Sequence, residues 1–338
     1  MNNKKTVSQI LVFIVLLVIV IGGILVKINI DDNNTQNNNS EYANLNINQE
    51  ELNIFYLNVG QADSTFITIN GYNMLIDSGN EQDGYYIWQF LKAQNITKLD
   101  YFIITHFDED HMGGAYKILE EMKIGVLYMP NNSSDTKTYQ KFIQTIEQEN
   151  INVNRNLKAS NDIIYSLGNA TWKVLNIDDG KNLNDSSIVI QLDYKQTKYL
   201  FMGDATSNVE ENSDIKWEEI DVLKVGHHGD SKCTSQNFLN KINPKYAIIS
   251  VGKNNSYKHP DEETLERLQN HSSILQIYRT DEDGTIWLTS SGNEINIEKI
   301  KYNLDGTGRK QAIFFERKYL YAFFLHYRFS VFKPNYMV

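Results

Sequence analysis

Cysteine, cationic side chains and long apolar runs are all scarce in this chain, and each shortage removes a class of explanation. A single cysteine, Cys233, excludes an intramolecular disulfide and any zinc site built from thiolates. Lys and Arg number 32 against 42 Asp and Glu, a net charge of -10, which argues against a broad basic footprint for nucleic acid. A polyanionic substrate would therefore need local help from metal ions. Apolar residues are plentiful at 41%, with 20 Tyr and 15 Phe, so a large core can be buried. The length suits one catalytic domain with appendages, because α/β units reach about 250 residues as a single fold.

The one long apolar run without a charge is Ile10 to Val26, at the short end of the roughly 17 to 25 residues that cross a bilayer as a helix. Ile28 extends it if Lys27 snorkels. No small-x-small cleavage site follows and no lipidation cysteine is near, so an uncleaved signal anchor over residues 10–28 is expected in place of a removed signal peptide. Lys4 and Lys5 precede the run and only Lys27 lies close behind, which predicts that residues 1–9 are cytoplasmic and the rest lies outside a cell membrane crossed once. Residues 29–51 are rich in Asn, Asp and Gln and read as a flexible linker. Regular alternation begins at Leu52, and the catalytic domain is expected over 52–303. The segment 304–338 turns aromatic and basic, and Arg317 and Lys318 interrupt it, so a second spanning helix is not expected. Interfacial membrane contact, docking on the domain, or no selected function all stay open for that tail.

Two stretches share a plan. Ser64 to Gly79 reads as two β-rich runs around Asn70-Gly71, a dipeptide favoured in tight hairpins, and its second strand ends at Asp77. Ser186 to Asp204 gives strand, polar turn and strand, running into Gly203-Asp204. The next apolar strand in each half carries histidine six residues after aspartate: Asp100 and His106, then Asp221 and His227. Asp77, His106, Asp204 and His227 thus fall at carboxyl ends of strands, where ligands gather in open sheets. Helical patterns over Gly84–Gln94, His111–Met122, Thr136–Glu149, Ser235–Ile242 and Asp261–Gln269 separate the strands, suggesting a pair of sheets flanked by helices.

Thr105 to Gly114, THFDEDHMGG, puts His106, Asp108, Asp110 and His111 on one loop directly after an apolar strand. Imidazole and carboxylate suit first-row divalent ions, and a loop can turn all four inward where a helix would spread them. A solvated acidic turn with incidental histidines is the bland alternative. Placement after a strand, and the GD and HHG segments at later strand ends, weigh against it.

These motifs, with LNVGQADSTFI, LIDSG, NDSSIVIQL, FMGDA, LKVGHHGDSKCTS and SVGKNNSYKHP in order, closely resemble the metallo-β-lactamase superfamily. Within it they resemble the hydrolase domain of ComEC-type DNA-internalisation competence proteins. The resemblance covers about Leu52 to Leu288 and implies an αββα sandwich of the α/β class with two divalent metal ions, zinc or manganese, at one edge of the β layers. By position it gives His106 and Asp108 to the first metal, Asp110 and His111 to the second, and Asp204 to a bridge. A later histidine ligand is His227 or His228; the internal repeat favours His227. Asp77 is expected to support the loop from behind, because ligand histidines commonly need carboxylate partners.

Two departures from the wider superfamily stand out. Asp108 replaces a histidine of the usual HxHxDH, and Asn184, Asp185 and Ser186 stand where another histidine is usual. Both are shared with the competence-type domains. A carboxylate in place of imidazole hardens the site, which raises the odds of manganese relative to zinc. The expected mechanism is a water activated between two ions, with Asp110 and Asp204 holding them. Ser186, Ser187, Lys224 and His259 are candidates for holding substrate oxygens or protonating the leaving group. Cys233, His271 and His326 are read as bland.

The resemblance implies a phosphodiester substrate, with extracellular DNA as the expected polymer. The transport channel that accompanies the competence domain is missing from this sequence, so uptake itself is not expected of it. Esterase action on a choline-phosphate ester of the cell envelope is the second reading, β-lactam hydrolysis a weaker one, and a noncatalytic surface binding protein the reading from another class. No obligate protein partner is expected.

Overall fold

The computed structural model describes residues 44–177, 182–304 and 310–315. The anchor expected over 10–28, most of the linker and most of the tail lie outside the described residues. Among the described residues no helix is long and apolar enough to cross a membrane.

The fold begins ahead of Leu52. Leu45 is buried, and its N–H donates to Oε1 of Gln94 at 2.6 Å, while the Asn70 N–H donates to the carbonyl of Gln49 at 2.7 Å. The linker expected over 29–51 is therefore shorter at its C-terminal end, because one leucine in a polar tract found an apolar seat. Then follow β1 (Leu52–Tyr56), β2 (Thr65–Ile69), β3 (Tyr72–Ile76), α1 (Asp83–Ala93), β4 (Lys98–Ile103), α2 (Glu109–Met112), α3 (Ala115–Glu121), β5 (Lys123–Tyr128), α4 (Lys137–Gln148) and β6 (Val153–Asn154). The second half holds β7 (Tyr165–Leu167), β8 (Ala170–Asn176), β9 (Val189–Tyr194), β10 (Thr197–Phe201), α5 (Ser207–Glu210), β11 (Val222–Lys224), α6 (Gln236–Ile242), β12 (Tyr246–Ile249), α7 (Glu262–Asn270) and β13 (Gln276–Arg279). A short α8 (Thr280–Asp283) leads to β14 (Thr285–Ser290), β15 (Ile295–Leu304) and β16 (Lys310–Phe315).

The strands form two sheets, in the orders β16-β15-β14-β1-β2-β3-β4-β5-β6 and β13-β12-β11-β10-β9-β8-β7. Strand periodicity explains the layers. In β1, Leu52, Ile54 and Tyr56 enter the core between the sheets, and Phe55 faces the helices. In β10, Tyr199 and Phe201 meet the opposite sheet while Leu200 faces outward to Phe238, Leu239 and Leu268 of α6 and α7. Ile87, Phe90 and Leu91 of α1, Ile118 and Leu119 of α3 and Phe142 of α4 cover the first sheet. Helix, sheet, sheet and helix thus stack in four layers, the αββα sandwich. β16 pairs antiparallel with β15, so the described part of the segment 304–338 extends the first sheet.

The internal repeat is real. β2 and β3 form an antiparallel hairpin followed by parallel β4 and β5; β9 and β10 form one followed by parallel β11 and β12. Asn70 and Gly71 both have positive φ, 50 and 78, as a tight primed turn requires. The repeated aspartates do the same job: Oδ2 of Asp100 accepts from the N–H of Asn73, and Oδ2 of Asp221 from that of Lys198, each at 2.9 Å. Each pins its strand to the preceding hairpin and sets the register of the histidine six residues on. The hairpin-ending aspartates, however, are not equivalent. Ile76 pairs with Ile103, and Phe201 with Lys224, so Asp77 corresponds to Met202 and Asp204 lies two residues beyond.

The helix expected over His111–Met122 is broken into α2 and α3 at Gly113-Gly114. A Cβ on Gly114 would stand 2.3 Å from the carbonyl oxygen of Ser78 and 2.6 Å from Cα of Gly84. Backbone therefore packs on backbone where α1 crosses the HFDEDH loop, and only glycine fits.

Candidate metal centre

Five loops converge at the carboxyl ends of the central strands. β4 delivers Thr105 to His111, β10 delivers Asp204, β11 delivers His227 and His228, β12 delivers His259, and the loop between β1 and β2 delivers Asp63. His106, His111 and Asp204 can share one point, and Asp110, His111 and His228 another. His106 Nε2 lies 3.5 Å from Oδ2 of Asp108 and 3.7 Å from Oδ2 of Asp204, and His111 Nε2 lies 3.1 Å from Oδ1 of Asp204. Yet His106 Nε2, His111 Nε2 and Asp204 Oδ1 are buried and make no hydrogen bond. Buried polar atoms rarely go unsatisfied. Three of them aimed at one another without hydrogen-bond geometry fit a donor set for divalent cations, with imidazole and carboxylate as the ligand types.

The groups behind this set fix its orientation. Asp77 is buried, accepts from the N–H of Thr105 (2.8 Å) and from its hydroxyl (2.8 Å), and lies 2.8 Å from Nδ1 of His111. Holding the proton on Nδ1 turns the Nε2 lone pair of His111 toward Asp204. Nδ1 of His228 faces the carbonyl of Ser250 at 2.9 Å, leaving Nε2 3.1 Å from Oδ2 of Asp110.

Electrostatics follow from burial and these partners. Burial alone would lower the pKa of His111, but the carboxylates of Asp204 and Asp77 overcome it and raise it well above the usual histidine value. Burial likewise opposes, and Asp204, Asp110 and Asp63 outweigh it, to raise His228 to about 10. Burial would raise Asp204 and Asp110, but the imidazoles around them hold both carboxyls below the ordinary range. Without cations, protons hold this cluster of carboxylates together.

Both neighbouring histidines reach the centre, from different sides. His228 joins Asp110 and His111, so the preference of the repeat for His227 does not extend to that cluster. His227 sits at the rim, with Nε2 3.5 Å from Oδ2 of Asp204 and Nδ1 3.9 Å from Oδ2 of Asp230. His259 lines the same cleft, its Nδ1 3.0 Å from Oδ1 of Asp261.

Three expected substrate contacts are corrected. Ser187 is buried; its Oγ accepts from the N–H of Asp204 at 3.0 Å and lies 3.4 Å from Nδ1 of His106, so it holds those two residues instead of facing the cleft. Ser186 is also buried and donates to the carbonyl of Leu183. Lys224 is 2% exposed and its Nζ donates to Oδ2 of Asp63 at 2.6 Å, so it is a buried charge with a dedicated partner. The lysine inside the apolar run DVLKVG already implied such a carboxylate, since buried lysines are almost always paired. Nothing local identified Asp63 as that partner. Cys233 is buried and burial raises its thiol pKa, in line with a small core residue.

Above the ligands opens a cleft of about 630 Å³, lined by Asp108, Asp110, Asp204, His227, His228 and His259 together with Gln61, Asn80, Asn255 and Tyr257. Among the described residues no lysine or arginine lines it.

Comparison with known proteins identifies the family of this chain. The family model described as "Metallo-beta-lactamase superfamily" matches residues 57–253. "ComE operon protein 3" of Bacillus subtilis is 33% identical over 201 residues, 58% of this chain and 25% of that protein. "Recombination protein 2" of Haemophilus influenzae is 30% identical over 226 residues, 65% of this chain and 27% of that protein. The chain thus spans about a quarter of the length of these relatives. Among solved structures, the metallo-β-lactamase fold protein YhfI of Bacillus subtilis aligns with TM-score 0.45 at 10% identity, over 68% of this chain and 95% of that one.

Proposed function

The chain belongs to the metallo-β-lactamase superfamily and is related to competence proteins, and from that premise we propose that it is a metal-dependent phosphodiesterase. It acts outside a membrane to which the helix expected over residues 10–28 holds it, and single-stranded DNA is its leading substrate. One observation carries the reading: buried, hydrogen-bond-deprived atoms of His106, His111 and Asp204 converge at the carboxyl ends of the strands, beside a cleft of about 630 Å³ that Asp204 lines.

Two divalent ions, manganese or zinc, would lower the pKa of a water and polarise a phosphoryl oxygen there. The residues that would hold them are His106, Asp108, Asp110, His111, Asp204 and one or both of His227 and His228. Asp77, Thr105 and Ser187 keep those side chains in orientation. His259 is the candidate proton donor to the leaving group: Asp261 fixes Nδ1, and Nε2 is directed toward Asp230, 3.8 Å away. Among the described residues no cationic side chain lines the cleft, so the ions are the groups there that would neutralise substrate phosphate.

A choline-phosphate ester is the second reading, favoured by that same lack of cations, since the carboxylates and Tyr257 suit a quaternary ammonium. The test is turnover of single-stranded DNA, a choline-phosphate ester and a simple bis-aryl phosphate by the full-length chain, with manganese, with zinc and after chelation. Metal-dependent hydrolysis lost in Asp110→Ala, with the fold intact by circular dichroism, is expected. Unchanged turnover in that variant, or a protein that binds no divalent ion, ends the proposal.

A further inference from the structure

Among the described residues the cleft carries one exposed aromatic ring, and its surroundings say what it meets. Tyr257 is 68% exposed, and its ring lies parallel to that of His259, 6° between planes and 5.9 Å between centroids. The loop presenting it is fixed from within. Asn255 donates to the carbonyls of Gly252 (2.9 Å) and His259 (2.6 Å) and accepts from the N–H of His259 at 3.0 Å. A single exposed aromatic is ordinary on a protein surface, but this one lines the cleft beside His259, and a pre-fixed ring avoids the entropy of ordering on binding.

We propose that Tyr257 is a stacking platform for the nucleobase next to the scissile phosphate, and that this contact, not charge, supplies most of the affinity for single-stranded nucleic acid. The inference rests on the phosphodiesterase reading and deepens it. Among the described residues no lysine or arginine lines the cleft, so from these residues a strand gains little at its phosphates beyond the one at the ions. The remaining affinity comes from uncharged contacts, and the cleft offers a flat ring, the amides of Asn80 and Asn255 being already engaged within the protein. Every base has a face that stacks on such a ring, whereas bases in a duplex are already stacked on each other. A choline headgroup is usually enclosed by several aromatic faces, and among the described residues Tyr257 is the only Tyr, Phe or Trp lining the cleft.

The test uses the full-length chain in detergent, loaded with manganese, and an oligodeoxythymidylate, the same strand with abasic sites flanking the cleaved position, and a duplex. Binding is read by fluorescence anisotropy and hydrolysis by product analysis. Tyr257→Ala is expected to weaken binding of the intact strand by about tenfold to a hundredfold, Tyr257→Trp to preserve it, and neither to affect the abasic strand. The salt dependence of binding should correspond to about one or two phosphates. Equal losses on intact and abasic strands, no loss, or a slope of about five phosphates or more overturns the proposal. Tight binding of a choline-phosphate ester that disappears in Tyr257→Ala, without discrimination against abasic DNA, also overturns it by reassigning the ring. Base-dependent binding without hydrolysis of any phosphodiester sinks the proposed activity but leaves the platform standing, so the two failures are distinguishable.

Discussion

Replacing Asp77 by asparagine separates the fold from the metal site. In the native protein one carboxylate oxygen accepts from the Thr105 N–H, and the other faces the Thr105 hydroxyl and Nδ1 of His111, all at 2.8 Å. Asparagine keeps an oxygen for the buried Thr105 N–H and places its NH2 against the hydroxyl and the imidazole. The hydroxyl can accept, at a cost of about 1 kcal/mol. Nδ1 of His111 must then accept too, which moves the proton to Nε2, the atom facing Asp204, and removes its lone pair from the metal. Metal affinity should fall by about 10- to 100-fold. Alanine behaves differently: it strands the Thr105 N–H at about 1–3 kcal/mol and forfeits charge-assisted bonds for a total of roughly 3–5 kcal/mol. It leaves the His111 tautomer free, however. Asp77→Ala should therefore be the less stable variant in urea and Asp77→Asn the weaker metal binder by calorimetry. An asparagine variant with wild-type metal affinity would refute the reasoning, because it would show that Asp77 does not set the tautomer.

Three further outcomes follow from the same chemistry. Lys224→Met leaves Asp63 charged and buried without its partner and should cost about 3–5 kcal/mol in urea unfolding, whereas Asp63→Asn with Lys224→Met should recover most of it; equal losses in both would show that the pair is not the reason. The metal-free protein should be most stable in a window set by its shifted groups. His228 is raised from 6.5 to about 10 and His111 is raised too, so their contribution is complete below about pH 6.5 and disappears as pH rises toward 10. Asp204 and Asp110 are depressed from 3.8, so their contribution holds above that value and is lost as pH falls further. Thermal midpoints after chelation should fall on both sides of that window. Metal binding near pH 7.5 should release about two protons, from His111 and His228, visible in calorimetry as a dependence on buffer ionisation enthalpy; no release would mean the imidazoles are neutral beforehand.

Much of this molecule could be read from residues near one another in sequence. Strand alternation, the Asn70-Gly71 turn and the six-residue spacing of Asp100 to His106 and Asp221 to His227 are local patterns, and each became an element or a register pin because hydrogen bonding and side-chain direction along a strand are local. The loop THFDEDHMGG likewise declared its chemistry by composition and by following an apolar strand. What sequence could not give was partnership across distance. Lys224 looked like a group available to substrate until Asp63, 161 residues away, was found holding it, and Ser186 and Ser187 looked like oxygen ligands until packing buried them. The two histidines of HHG differ by one residue in the chain, but a turn with positive φ at both, 45 and 54, sends one to Asp110 and the other to the rim. Spacing determines which residues can share a strand end; only the packing of two sheets determines which face water, which face each other, and which are left facing a cation.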